Sequence, residues 1–553
     1  MMLTKDIEQQ VTELIKDLPK ERSSILPALW AVVDRLGWID EDRTEAVATC
    51  LGQPVAEVYG VASFYALLPT KPEEPVRVCD DIVCRLKGSQ ALLAELNNRG
   101  IEAVVWPCLG RCDRAPAALV GSQAVVGATA DKIGFVVKGG GGTAVNERRL
   151  LPDPETRTAP TSEARLVERG FERALERAEH MTPEAIRREV SDAGILGRGG
   201  AAFPTGRKWD SVASAPGDVK YVVMNADESE PGTFKDRVLL AKDPFGALVG
   251  LAIAARAVGA SHAYVYIRGE YQDVEAVVKE AAAVLYRRGV FGPHLTFEIR
   301  RGAGAYIAGE ETALFNSIEG RRPEPRVKPP FPTVHGLFGR PTLIQNVETL
   351  ANVAVLLAHD VAWFRQLGTD KTPGTKLVCL SGHIERPGVY EVPFGVSLRD
   401  LIYNPLWGGG IASGQRLKAV LLGGAAGTFM TAQEAQEAIY DYAPLRTLGA
   451  SIGSGAVMVF DETVSLLAVL RQLAHFFAEE SCGQCVPCRI GTRRILEMLE
   501  DEVLRSDDDE TRLRDLGHAM QDASICGLGQ TAPVALLSLM DRASLWDSER
   551  SAG

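Results

Sequence analysis

Three cysteines fall within seven residues in Ser481-Cys482-Gly-Gln-Cys485-Val-Pro-Cys488, and this spacing constrains the chain more than any other feature. A Cys-x2-Cys-x2-Cys run forces three thiols into one tight loop, where they can ligate one face of a [4Fe–4S] cube. The fourth ligand has to come from elsewhere, and Cys526, in Ala-Ser-Ile-Cys526-Gly-Leu-Gly, is the only cysteine further along. A second quartet precedes it: Cys79-x4-Cys84 and Cys108-x3-Cys112, each pair in the loop after a predicted strand. Four thiolates from two loops suit either a [2Fe–2S] cluster or tetrahedral zinc. Of the ten cysteines only Cys50 and Cys379 stand alone, both in apolar settings. Clustered cysteines without an export signal point to metal rather than disulfides, and to the cytoplasm.

Between the quartets lies a second unusual stretch. Gly197, Gly199, Gly200 and Gly206 sit within ten residues, with Arg198, Arg207 and Lys208 close by. Such a loop lets backbone N–H groups approach an anion, and the basic side chains offset phosphate charge. Tyr221-Val-Val-Met reads as a short buried strand that ends in Asn225, Asp227, Glu228 and Glu230. Open α/β sheets bind ligands at that end of a strand. The loop does not match G-x-G-x-x-G in a strand-to-helix setting, which disfavours a standard dinucleotide fold. A polar turn between sheet and helix is the plain alternative.

Composition narrows the class. At 553 residues the chain holds about three to five domains of roughly 100–200 residues each. A net charge of −12 argues against nucleic acid as a partner. No run of 18 or more apolar residues appears, so no membrane span is expected, and the polar N-terminus lacks a signal-peptide core.

In order, residues 1–70 read as helices, with Ile25, Leu26, Leu29, Trp30, Val33 and Leu36 at helical spacing. Residues 71–137 hold the first quartet, and 138–162, beginning Lys138-Gly-Gly-Gly-Gly-Thr143, form a flexible linker. Because of that linker, the parts on either side are expected to fold independently. Residues 163–335 carry the glycine loop and a βαβ-like pattern. Gly309-Glu310-Glu311 opens a helix there, and the two glutamates could simply be stabilising caps. Residues 336–460 turn to short strands and glycine-rich loops, and 461–553 are helical around the second quartet.

These motifs together resemble the NADH-oxidising flavoprotein subunits of respiratory complex I and the diaphorase subunits of NAD-linked hydrogenases and formate dehydrogenases. The resemblance rests on the 194–237 stretch, on Cys108-Leu-Gly-Arg-Cys-Asp-Arg-Ala-Pro, on Arg326-Val-Lys-Pro-Pro-Phe-Pro, on Arg340-Pro-Thr-Leu-Ile-Gln-Asn-Val-Glu-Thr and on the Cys482 run. It implies a multidomain α/β chain: a helical plus thioredoxin-like [2Fe–2S] part, an FMN/NADH domain, a ubiquitin-like β-grasp domain and a helical [4Fe–4S] domain. It implies FMN, NAD(H), one [2Fe–2S] on Cys79, Cys84, Cys108 and Cys112, and one [4Fe–4S] on Cys482, Cys485, Cys488 and Cys526. FMN contacts carry over to Gly197, Arg198, Gly199, Gly200, Lys208, Asn225, Asp227, Glu228, Tyr306, Gly309, Glu310, Glu311, Ile344, Gln345, Asn346 and Leu528. Family members usually have Asn-Asn where this chain has Gln345-Asn346. NAD contacts carry over to Phe203, Glu230, Tyr306, Glu311, Lys328 and Phe331, with Glu311 and Glu228 as the catalytic candidates. Glu230 is expected to hold the NADH ribose hydroxyls and to repel a 2′-phosphate.

The implied activity is hydride exchange between NAD(H) and FMN, with single electrons passed through the clusters to or from a large catalytic subunit. The retained first quartet, the 23-residue gap inside it and the Asp522–Gln530 ending look most like the β subunit of an NAD-dependent formate dehydrogenase, whose partner would carry molybdenum or tungsten. A diaphorase of an NAD-linked [NiFe] hydrogenase and a fused complex I subunit are the alternatives, and a non-catalytic iron–sulfur or zinc scaffold is the alternative of another class. A partner is expected to dock on an exposed apolar patch of the C-terminal domain at Leu536, Leu537, Leu539 and Met540.

Overall fold

The structure, a computed structural model, describes residues 2–72, 75–137, 150–151, 158–412, 414–500 and 507–552. Most of the expected linker, including Lys138–Thr143, lies outside the described residues. Four helices, Met2–Ile15, Ile25–Leu36, Glu41–Leu51 and Val55–Ala62, come first. The apolar stripe read from the sequence packs inward at Ile25, Leu26, Leu29 and Trp30. A four-stranded sheet follows, from β1 (Val76–Cys79), β2 (Ala103–Trp106), β3 (Ala117–Val120) and β4 (Gln123–Val126). Its order is β2-β1-β3-β4, with β1 and β2 parallel and the other pairs antiparallel.

The second sheet is wholly parallel: β5 (Tyr221–Ala226), β6 (His262–Ile267), β7 (Thr296–Arg301) and β8 (Thr342–Asn346), in the order β7-β6-β5-β8. Parallel strands are covered on both faces, so they read as near-continuous apolar runs. The helix Pro244–Val258 is buried along almost its whole length and lies across the helix Val347–Ala358. Gly250 makes that crossing possible, because a Cβ there would come within 2.0 Å of the Leu350 carbonyl oxygen.

Pairing of β5 with β8, from Tyr221↔Thr342 to Asn225↔Asn346, corrects the expected boundary at residue 335. β8 and the helix Val347–Ala358 belong to the second sheet, not to the β-grasp unit. A strand that arrives by a long parallel crossover carries no local mark of the sheet it joins.

The third sheet contains β9 (Thr375–Gly382), β10 (Gly388–Pro393), β11 (Leu417–Leu422), β12 (Thr428–Thr431) and β13 (Ala456–Asp461). Its order is β10-β9-β13-β11-β12, with only β9 and β13 parallel. Helices from Leu466–Glu480 to Ala543–Ala552 complete the chain. No single helix among the described residues is long and apolar enough to cross a membrane; the pair Lys235–Lys242 and Pro244–Val258 passes only jointly and is bent by 96°.

Two expectations fail. The N-terminal part does not stand apart: Ile82, Val83, Cys108 and Cys112 share one buried cluster with the parallel sheet. Leu67 N donates to Ala303 O at 3.0 Å, and the Tyr65 and Ser317 hydroxyls meet at 2.6 Å. A flexible linker sets how two parts are joined, not whether their surfaces are complementary. The Leu536, Leu537, Leu539 and Met540 patch is also not exposed; these side chains are 2%, 7%, 0% and 3% accessible. The helix Val534–Met540 packs against β12 and is apolar nearly all round, a pattern that marks burial rather than display.

Candidate redox site

The glycine loop is pinched at its base by Gly197 N donating to Phe203 O at 2.9 Å and Thr205 N to Ile195 O at 2.9 Å. It projects outward, with Gly199 exposed and Gly200 at φ +125°, a conformation that L side chains rarely adopt. A Cβ on Gly199 would lie 3.2 Å from Asn346 Cβ, so the loop and the end of β8 form adjoining walls. The C-terminal end of β5 supplies a third wall. There Asn225 Nδ2 donates to Gly309 O at 2.8 Å, and a Cβ on Gly309 would sit 3.2 Å from Asp227 O. Glycine loop, strand ends and the Tyr306–Gly309 turn therefore converge as the sequence suggested.

The individual side chains divide into two groups. Glu311 faces the opening between two cations: Lys328 Nζ reaches it at 2.7 Å and Lys208 Nζ at 3.3 Å. Burial pushes its carboxyl up, but those lysines outweigh burial and hold it below the usual range. Phe203 and Phe331, 50% and 58% accessible, stand exposed on the same two segments as Lys208 and Lys328. Large exposed aromatics beside a charged opening suit a flat ligand ring. The Gln345 amide nitrogen is buried with no hydrogen-bond partner, a donor that a bound polar group would satisfy. These features fit a phosphorylated aromatic cofactor such as FMN.

Other candidates are committed, wholly or in part, to the protein's own structure. Glu228 accepts from Asp236 N at 2.8 Å and Arg237 N at 3.0 Å, so its carboxylate holds the start of the helix Lys235–Lys242. Burial and Asp236 push it up to about 7, which Lys235 partly offsets. Glu310 Oε2 accepts from Thr312 N at 2.8 Å and Ala313 N at 2.9 Å as the helix cap, while its Oε1 accepts from Lys328 Nζ at 2.9 Å, so it shares that lysine with Glu311. Arg198 is fully buried, with its guanidinium 4.5 Å over the Phe394 ring of the β-grasp unit. Ile344 packs in the sheet core, which leaves only its backbone to reach a ligand. Glu230 accepts from Ala426 N at 3.1 Å, and burial pushes it up to about 7. Glu230 is thus tied to the β-grasp unit, whereas Glu311 stands between two lysines at the opening. Asp227 is pushed up to about 8, mainly by burial.

Both thiol quartets assemble. Cys79 closes β1, Cys84 sits in the helix Ile82–Leu86, Cys108 follows β2 and Cys112 starts the next turn; all four are buried. The Cys108 and Cys112 sulfurs are 3.6 Å apart. Two thiolates on one tetrahedral metal with ~2.3 Å bonds lie roughly 3.8 Å apart, so this pair suits a shared metal atom. Cys482, Cys485, Cys488 and Cys526 line one small cavity, together with Ile307 and Leu528. Leu528 thus lies against the cluster cavity rather than the glycine loop. Burial pushes Cys488 up to about 12 and Cys526 up to about 11, so thiolates at these two positions need a cationic centre to stay ionised.

Short links tie both quartets to the opening. Arg268 donates to Cys108 O at 2.8 Å and to Glu228 O at 2.6 Å, joining the first quartet's loop to the end of β5. Sequence reasoning missed this arginine; its signal was a charge at the C-terminal end of a predicted strand. On the other side Ile307 lines the second cavity two residues from Gly309, and Tyr306 N donates to Glu480 at 2.8 Å. The Tyr306 ring lies 5.1 Å from Phe476. Around that cavity the exposed apolar side chains are Val486, Ile490 and Ile525, and Gln484 also lines a cleft of about 800 Å³.

Three family models match stretches of the chain. Residues 11–139 match the thioredoxin-like [2Fe–2S] ferredoxin family, 190–355 the Nuo51 FMN-binding domain and 468–543 the NADH-ubiquinone oxidoreductase-F iron–sulfur binding region. The chain is 43% identical to a NADH-quinone oxidoreductase subunit of Rhizobium meliloti, over 66% of this chain and 89% of the relative. It is 31% identical to the alpha subunit of the NAD-reducing hydrogenase HoxS of Cupriavidus necator, over 97% of this chain and 93% of the relative. A crystal structure of an NAD+-reducing [NiFe]-hydrogenase superposes with a TM-score of 0.81 at 32% identity, covering 96% of this chain and 94% of that one. The units are thus an FMN domain flanked by [2Fe–2S] and [4Fe–4S] domains, with NAD(H) as substrate. The chain belongs to the family of NADH-oxidising flavin and iron–sulfur diaphorase subunits shared by complex I and NAD-linked hydrogenases.

Proposed function

We propose that this chain exchanges hydride with NAD(H) at the opening framed by Gly199, Asn346 and Glu311, and trades single electrons with a partner subunit through the Cys482 quartet. The observation that carries this reading is the Tyr306–Gly309 turn, which abuts Asp227 at one end and lines the thiol cavity at Ile307. FMN, when bound, accepts a hydride and releases electrons singly, chemistry that belongs to the cofactor. Gly199, Gly200 and Lys208 hold its phosphate side, and the Gln345 amide donates to it. Glu311 and Lys328 orient the nicotinamide nucleotide between the exposed rings of Phe203 and Phe331. The Cys79 quartet, tied to β5 through Arg268, serves as an electron store or second exit.

The terminal substrate belongs to the partner. Formate, oxidised on a molybdenum or tungsten subunit, is the reading favoured by the 23-residue gap between Cys84 and Cys108 and by the Asp522–Gln530 ending. Hydrogen is the second reading, favoured by full-length similarity to a NAD-reducing hydrogenase subunit. The partner docks over Val486, Ile490 and Ile525, in the cytoplasm. Purifying the complex, measuring molybdenum, tungsten and nickel, and assaying NAD reduction from formate and from hydrogen decides between them. Molybdenum or tungsten with formate activity supports the first reading, and nickel with hydrogen activity the second.

A further inference from the structure

The β-grasp unit holds neither quartet, and the sequence assigns it no chemistry. One of its lysines nevertheless reaches across the interface into the frame of the redox site. Lys376, on β9, is fully buried, and its ammonium places all three donors: Glu348 Oε2 at 2.5 Å, Leu377 O at 3.1 Å and Ser454 O at 3.1 Å. A lysine ammonium has three donors and no acceptor, so this one is saturated.

Both of its distant partners belong to walls of the opening. Glu348 sits in the first turn of the helix Val347–Ala358, which Asn346 caps, and its second oxygen accepts Leu377 N at 2.8 Å. In that same turn Thr349 accepts Arg198 N of the glycine loop at 2.9 Å, and Asn346 donates to Asp236 at 2.7 Å. Ser454 packs on the other wall: a Cβ on Gly200 would come within 3.9 Å of Ser454 N, and the Ser454 and Thr233 hydroxyls meet at 2.5 Å. Gly455, at φ +105°, leaves the room, since a Cβ there would stand 2.9 Å from Lys376 Nζ.

We infer that Lys376 is a positioning residue for the flavin: through Glu348 and Ser454 it fixes the Asn346 turn and the Gly200 loop relative to each other. This rests on the proposed flavin site. A buried ammonium tied at three points has one geometry, whereas a surface pair would leave both walls free to drift. The β-grasp unit then acts as the back-plate of the redox opening.

The test is a comparison of the full chain with Lys376→Gln and with the paired Glu348→Gln/Lys376→Met variant, which removes both charges of that pair and leaves Lys235, 3.1 Å from Glu348, with Asp236 as its partner. Measured are the FMN dissociation constant after deflavination, the flavin midpoint potential, and the electron paramagnetic resonance of the two clusters. Both variants are expected to bind FMN about tenfold more weakly and to shift the flavin potential, with cluster spectra unchanged. Should Lys376→Gln fail to fold, the paired variant carries the same expectation. FMN affinity within twofold of the unaltered chain and an unmoved potential, in a variant with intact clusters, would overturn the inference. Absence of flavin from the unaltered chain would instead refute the site on which it rests.

Discussion

At the residue scale, roles follow from which partner each carboxylate faces. Glu311 lies between Lys208 and Lys328 at the opening, whereas Glu228 is committed to a helix start and Glu310 divides its two oxygens between a helix start and Lys328. Glu311→Gln should therefore lower kcat/KM for NADH about tenfold with ferricyanide as acceptor and narrow the preference over NADPH, a tenfold loss being about 1.4 kcal/mol. Glu230→Gln should leave that preference in place; the reverse pattern would return discrimination to Glu230. Asp227 gives a pH signature. Its folded pKa, raised by burial to about 8, exceeds the usual carboxyl value of about 4, so the folded state binds the extra proton in between. The unfolded chain binds fewer protons there, and this contribution to stability is lost as pH rises from about 4 to about 8. Thermal unfolding of the flavin-free chain should reflect that loss, and Asp227→Asn should flatten the slope; an unaltered slope would assign it to other groups. The cysteines and glycines were legible from spacing alone, because cluster ligation and close backbone approach demand those residue types. Glu228 was not, since its partners, Asp236 N and Arg237 N, become neighbours only when the chain turns back into a helix.

At the scale of elements, the site depends on how closely two helices behind the parallel sheet approach. Gly250 faces the Leu350 carbonyl at a separation that leaves no room for a methyl group, and a backbone oxygen cannot turn aside as a side chain can. Gly250→Ala should therefore cost about 1–3 kcal/mol, the range for overpacking a filled interior, and lower the unfolding temperature. An unchanged unfolding temperature would mean that the helices slide apart freely. The strands β1, β5 and β9 were readable as apolar runs between turn signals. The assignment of β8 was not, because its partner β5 lies more than a hundred residues earlier. The Leu536–Met540 segment illustrates another limit: an apolar run tells that a face is covered, not whether by its own chain or by a partner.

At the scale of the molecule, the N-terminal unit is part of the body rather than an appendage. The buried cluster that contains Cys108 and Cys112 runs into the parallel sheet, and Arg268 bridges the two. A chain beginning near Ser162 should accordingly lose solubility or flavin, and recovery of a soluble, flavin-loaded fragment would show that the contacts are dispensable. The Cys482 quartet lies beside exposed Val486, Ile490 and Ile525 and is the proposed exit. Cys485→Ser should keep NADH oxidation by ferricyanide but abolish transfer to the partner. The central claim is that these residues together make a complete NADH-to-one-electron converter that lacks a terminal-substrate site. Its most direct test is the isolated chain, loaded with FMN and both clusters, assayed for NADH-dependent reduction of ferricyanide or a viologen and, separately, for NAD reduction from formate and hydrogen. The account predicts rapid dye reduction and no product from formate or hydrogen. A chain unable to oxidise NADH, or one that turns over formate or hydrogen without a partner, would contradict it.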